Sequence, residues 1–186
     1  MRFPGDRKAR GRAEIVAAAG RLFRADGFAA TGVDALMKGA GRTSGTFYSY
    51  FSSKNSLFDA VLVASIADTQ ASLLDGLDGL EGDAWVAEVA RRYLSRPHRD
   101  DPAHGCAMPG LAAEIGRAPE ATRTVFEEQV KAFVARIAGN LDGNEAEDRA
   151  LALVALFVGG IVLARAVKSK ALSDRILLAA RRFATR

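Results

Sequence analysis

The sequence predicts an all-α fold, and three observations predict it. Apolar residues recur at intervals of three and four through most of the chain, which marks helices with one buried stripe. No stretch sustains the period-two alternation of a half-buried strand. Gly, Pro, Ser and Thr fall between the periodic stretches, where caps and turns belong. With 186 residues, 49% hydrophobic and 26% charged, the chain can bury a substantial core.

The elements follow in order. Ile15, Ala18, Leu22 and Phe23 share a face and predict a helix over 7–26, with Gly27 as a left-handed C-cap. Thr31-Gly32 suits an N-cap before a short helix carrying Val33, Leu36 and Met37. Gly39-Ala40-Gly41 ends it. Thr43 or Ser44 then opens another short helix, in which Phe47 and Phe51 share the core side. Ser52-Ser53 caps a helix from Lys54 to about Leu74. The Gly- and Asp-rich stretch 75–82 reads as a linker, 83–94 as a helix through Trp85, Val89 and Tyr93, and 95–105 as a loop. Pro109 and Pro119 fit the first turns of two helices, one ending near Gly116 and one over 119–139. A long apolar helix is expected over about 145–168, and Ser173 is expected to cap the last.

Residues 151–164 lack charge, but Arg149 and Arg165 close the run below the length a membrane span requires, so it reads as a buried helix. The basic N-terminus is followed by no apolar run, and the expected compartment is the cytoplasm. One Cys excludes an internal disulfide framework and a multi-Cys zinc site. No phosphate-cradling Gly loop, nucleophile elbow or metal-ligand motif is present, so neither an enzyme nor a cofactor is expected. His98 and His104, near Asp100 and Asp101, read as parts of a polar loop ahead of a metal site.

The charge is uneven. Residues 1–54 hold 10 Lys and Arg against 4 Asp and Glu, a net of +6, while the rest holds 16 against 18, a net of −2. This asymmetry points to a polyanion as partner of the first part. Two short helices joined by a Gly-bearing turn, inside that basic segment, form a candidate helix-turn-helix whose second helix would enter a major groove. At 100° per residue, Gly45 and Ser49 lie opposite the core face. Ser44, Thr46 and Tyr48 offer hydroxyls to phosphates or bases, and Lys54 offers charge beside free helix amides.

The stretch 27–57 resembles the DNA-binding signature of the TetR/AcrR family of transcriptional regulators. Gly27, Phe28, Thr31, Val33, Ala40, Gly41, Gly45, Thr46, Phe47, Tyr48, Tyr50, Phe51, Ser53, Lys54 and Leu57 match it without a gap. Arg42 departs from it, standing where the family carries an apolar residue. Thr43 replaces the usual Ser, and Leu36-Met37 the usual Ile-Ala. The resemblance implies an N-terminal three-helix DNA-binding domain over 1–53 and a ligand-binding and dimerisation bundle over 54–186. It also implies a dimer that holds a palindromic operator and releases it on binding a small inducer. By motif matching, Thr31, Thr43, Ser44, Thr46, Tyr48, Tyr50 and Lys54 are candidate DNA contacts, and Arg42 joins them on charge.

In the family, helices in the positions of those near 145–168 and 173–185 pair two protomers, and Gly159-Gly160 would permit close approach there. The stretch 105–114, with Gly105-Cys106 and Glu114, and the stretch Pro119-Glu120 to Phe126 resemble one branch of the family more loosely. Some relatives with such a cysteine respond to electrophiles or oxidants, and a helix N-terminus beside Cys106 would favour thiolate. Trp85, Cys106, Met108, Phe126, Phe133 and Phe157 are candidate ligand contacts by size and placement, with Glu114 and Arg117 as possible polar anchors. The alternatives are a thiol-based sensor of the same fold acting through Cys106, and a helical protein that binds other proteins.

Overall fold

The computed structural model describes residues 4–186, and these are helical, without strands. Residues 1–3 of the basic N-terminal arm lie outside the described residues. Helix α1 (Pro4–Asp26) buries Ile15, Ala19 and Phe23 completely. It ends at Gly27, whose φ of 89° is left-handed and whose N–H donates to the Phe23 carbonyl at 2.9 Å. Helix α2 (Val33–Gly39) follows, then a 3₁₀ helix (Ser44–Ser49), and Leu36, Met37 and Phe47 close the small core between them.

Helix α3 (Lys54–Leu74) begins at a reciprocal cap: the Ser56 N–H donates to Ser53 Oγ at 3.0 Å, and the Ser53 N–H donates to Ser56 Oγ at 3.1 Å. That satisfies two of the free amides at the helix start. From there α3 packs on α1 and runs into the bundle of α4 (Gly82–Tyr93), α5 (Arg96–Asp100), α6 (Ala107–Ile115), α7 (Glu120–Ala138), α8 (Ala146–Ala166) and α9 (Lys170–Ala184). Helix α3 lies on α7, α7 on α8, and α8 on α9. Tyr93 stands at the centre, stacked between Phe157 at 5.5 Å and Phe133 at 6.4 Å. One apolar core runs unbroken from Ile15 to Ala184. The division expected at 53/54 therefore falls on the cap of a helix whose core joins both sides.

Three local expectations change. Residues 96–100 form α5 instead of loop, because Ser95 Oγ accepts the His98 N–H at 3.3 Å. Pro109 falls in the first turn of α6 as expected, whereas Pro119 lies just outside α7 at its N-cap. Ser169, not Ser173, caps α9: its Oγ accepts the Leu172 N–H. Ser173 is buried inside the helix and donates to the Ala164 carbonyl at 2.6 Å, tying α9 to α8.

Helices α3 and α8 are long and apolar enough to cross a membrane by length and composition. Both pack in the bundle. Gly160 is buried against its own chain, where an added Cβ would lie 2.7 Å from Leu94 Cδ2 and 3.5 Å from Ala180 Cβ. The close approach there is within one protomer. A Cβ at Gly159 would meet nothing within 4 Å. Gly160→Val is expected to lower stability by about 1–3 kcal/mol through overpacking, measured by urea unfolding; an unchanged midpoint would contradict this packing.

Candidate nucleic-acid interface and cleft

The second helix of the helix-turn-helix is 3₁₀, which returns to the same side every three residues. Its inner column is therefore Ser44, Phe47 and Tyr50: Phe47 is fully buried and the other two are half-buried. Phe51, expected within this helix, follows its end and is buried beside Phe47 with ring centroids 6.0 Å apart. Gly45, Thr46, Tyr48 and Ser49 form the outer face. Tyr48 is 76% exposed, its ring braced edge-on against Phe47 at 5.2 Å. Exposed Thr43 precedes the helix with extended backbone, and its carbonyl accepts the Thr46 hydroxyl at 2.8 Å. The outward surface is thus small and hydroxylated around one projecting phenol.

The remaining expected contacts sit elsewhere. Thr31 is buried, and its hydroxyl donates to the Gly27 carbonyl at 2.7 Å, so it closes a turn and is not presented outward. Arg42 replaces the expected apolar packing of the turn with polar packing. Its guanidinium lies over the Tyr50 ring at 5.3 Å, donates to the Tyr50 hydroxyl at 3.1 Å, and pairs with Glu14 of α1 at 2.7 Å. Lys54 points back into the protein. Its Nζ donates to the Phe28 carbonyl at 2.5 Å and lies 4.2 Å from the Phe28 ring centroid. Burial lowers its pKa, and nearby Glu114 opposes that shift. Among the described residues of this part, Arg7, Lys8, Arg10, Arg12, Arg21 and Lys38 are exposed cations, Arg10 near Glu14 at 3.8 Å and Arg12 over the Phe51 ring at 4.8 Å. Sequence reasoning singled out none of them, because a charge count does not report which cations are already engaged.

The headpiece is locked to the bundle at two places, one on α1 and one on the turn that follows it. Glu114 of α6 accepts the N–H of Phe28 at 3.1 Å and of Ala29 at 2.9 Å. The left-handed backbone favours glycine at Gly27, and a Cβ there would lie 2.8 Å from the same carboxylate, which would have to move aside. Arg24 donates to the Ala103 carbonyl through Nε at 2.8 Å and Nη2 at 2.5 Å, and to Ser65 Oγ of α3 through Nη1 at 2.5 Å.

Beside these contacts opens a cleft of about 1550 Å³ between α1, α3, α4, α5 and the 101–106 loop. Its apolar wall includes Ala13, Val16, Ala17, Ala60 and Ala64; its polar side includes Arg24, Ser65, Tyr93, His98 and Cys106. Of the expected ligand contacts, Cys106 alone lines it. Trp85, Met108, Phe133 and Phe157 are core residues, at most 4% exposed, and half-buried Phe126 packs against that core. Size points to the aromatics; the space exists where the walls are alanines. Arg117 is exposed and away from the cleft lining.

Cys106 is buried and caps α6, and burial raises its thiol pKa. Desolvation therefore outweighs the helix terminus and the nearby Arg24 and Arg165, and the expected thiolate is disfavoured. His98 is held through both ring nitrogens: Nδ1 lies 2.6 Å from the Tyr93 carbonyl, and Nε2 accepts the Cys106 N–H at 3.0 Å. That assigns the neutral Nδ1–H tautomer. His104 pairs with Asp101 at 3.0 Å.

Residues 15–61 match the family of bacterial regulatory proteins, tetR family. No curated relative matches the sequence. The fold is that of solved TetR-family regulators. A TetR-family transcriptional regulator from Cytophaga hutchinsonii superposes with a TM-score of 0.78 at 20% identity, covering 96% of this chain and 94% of that one. Reduced E. coli NemR gives 0.78 at 22%, covering 94% and 95%. A TetR regulator from Chloroflexus aurantiacus gives 0.80 at 19%, covering 97% and 96%.

Burial lowers the His98 pKa below its ordinary 6.5. The unfolded chain then binds the proton more readily than the folded one, so the stability tied to neutral His98 is complete above pH 6.5 and declines as pH falls below it. Thermal melting between pH 8 and pH 5 should show a steeper loss for the wild type than for His98→Gln. Parallel curves would show that His98 is not buried in its neutral form.

Proposed function

We propose that this chain, with its tetR-family DNA-binding domain and TetR-type fold, is a transcriptional repressor. In this reading it holds a palindromic operator in the cytoplasm as a homodimer, and a small molecule entering the cleft releases it. It acts by binding, without catalysis. The observation that carries the reading is the outward face of the 3₁₀ helix, where buried Phe47 anchors exposed Thr46, Tyr48 and Ser49. Such a face can be pressed into a major groove without a bulky apolar obstacle. Thr43, Thr46 and Tyr48 are the proposed contacts to the duplex, with half-buried Ser44 at the entry. Arg42, Tyr50, Thr31 and Lys54 act behind them, holding the turns in place.

Dimerisation is supported by an apolar face on α8 and α9 that its own protomer leaves uncovered. Leu163 and Phe183 are 57% and 64% exposed, and Leu151, Val162, Leu172 and Leu178 are also exposed. A second copy pairing its own α8 and α9 with these would bury them and space two recognition helices along one side of the duplex.

DNA fragments selected by the purified protein would supply the operator, and two predictions then follow. Tyr48→Ala should weaken operator binding about tenfold or more at unchanged melting temperature, read by fluorescence anisotropy; unchanged affinity would remove this face from the interface. Leu163→Glu with Phe183→Glu should elute as a monomer by light scattering and lose the operator. A dimer that persists would place the protomer contact elsewhere.

A further inference from the structure

The cleft has chemistry of its own, and reading it rests on the cleft being the effector site proposed above. Three features meet on its polar side. The first is Tyr93, 1% exposed, which lines the cleft and whose buried hydroxyl has only the Cys106 thiol beside it, with no nitrogen or oxygen partner among the described residues. A buried hydroxyl left unpaired carries a desolvation penalty that a bound acceptor would relieve. The second is Arg24. The groups that hold it, the Ala103 carbonyl and the Ser65 hydroxyl, are both neutral. A guanidinium has five N–H donors, and three are engaged, which leaves two. Desolvation lowers its pKa, as expected of a cation partly withdrawn from water. The third is Arg165, outside the lining but acting on the lining residue Cys106, half-buried and likewise held by carbonyls, those of His98 and Arg99.

Cys106 connects them: Tyr93 lies beside its thiol, and both guanidiniums act on it electrostatically. The acids of the lining, Asp68 and Asp101, both act on Arg24, but they are exposed, Asp101 is shared with His104 at 3.0 Å, and they face five lining arginines, Arg12, Arg21, Arg24, Arg91 and Arg92. The same lining carries the alanine and valine side chains of α1 and α3. The cleft therefore offers positive charge and unused donors together with apolar surface.

We infer that the cleft binds an amphipathic organic anion. Its carboxylate accepts hydrogen bonds from the Arg24 guanidinium and the Tyr93 hydroxyl, and its hydrocarbon body lies along the Ala13–Ala17 and Ala60–Ala64 faces. Arg12 and Arg21, which also line the cleft, are exposed and would draw such an anion toward it. Since Arg24 also holds α3 and the 101–106 loop, a ligand that takes up its remaining donors acts on a contact that fixes α1, and with it the headpiece.

The test uses the full chain, with octanoate and 4-phenylbutanoate as probes and octan-1-ol and 4-phenylbutanamide as neutral counterparts. Calorimetric titration should give at least one carboxylate bound about tenfold or more tightly than its neutral counterpart, the size expected of a charge-assisted contact. Arg24→Gln and Tyr93→Phe, each checked for native circular dichroism, should each lower that carboxylate's affinity and leave the neutral compounds unchanged. If Arg24→Gln does not fold, Tyr93→Phe alone carries the comparison, because it removes one unpartnered oxygen. Two results overturn the inference: neither carboxylate binds, or neutral counterparts bind as tightly as the acids. Operator anisotropy in the same titrations separates the two readings. Carboxylate binding that leaves the operator bound keeps the ligand class and removes the regulatory role. Operator release by octan-1-ol but not by octanoate does the reverse.

Discussion

The structure depends on how one helix is held. Helix α1 belongs to the headpiece by its core face and to the bundle by its polar grips. The Glu114 carboxylate takes two backbone N–H groups of the turn that follows α1, and Lys54 holds the carbonyl of the same turn. The turn is thus gripped from α6 on one side and from the start of α3 on the other. A carboxylate accepting two backbone amides is a strong, directional contact, and Gly27 leaves open space beside it. The position of the 3₁₀ helix relative to the bundle follows from this grip and from Arg24.

That arrangement gives the cleft its significance. Its walls are the same α1 and α3 that carry and orient the headpiece. A molecule filling it would press directly on the helices that set the recognition surface, with no long relay. The unbroken core from Ile15 to Ala184 means that headpiece and bundle do not slide past one another freely. The polar contacts at Arg24 and Glu114 are where small displacements can be exchanged, because packed interiors resist gradual deformation.

The helices were legible in the sequence because periodicity and caps are local properties. Gly27, the Ser53 cap and the apolar stripe of α1 are each visible within a few residues. The outward face of the 3₁₀ helix was legible in part. Phe47 is buried as expected, but the tighter 3₁₀ turn carries Ser44 and Tyr50 inward and sets Tyr48 outward. The roles of Arg42 and Lys54 were not legible, since their partners, Glu14 and Phe28, lie 28 and 26 residues away. The cleft was hidden for a related reason. Its wall is made of alanines, which mark absence of volume, whereas the conspicuous aromatics Trp85, Phe133 and Phe157 are what fills the core. Gly160 shows the same limit: sequence can say that a close approach occurs, but not with which helix.

The central claim is that the hydroxylated face of the 3₁₀ helix and its surrounding cations grip duplex DNA. The most direct measurement is the affinity of the full chain for its selected duplex as a function of salt. Log affinity should fall linearly with log salt concentration, with a slope reporting the counterions released from several phosphates. A chain that fails to retain any duplex, or whose affinity is flat across salt, would contradict it and would favour a helix-turn-helix that packs against protein instead.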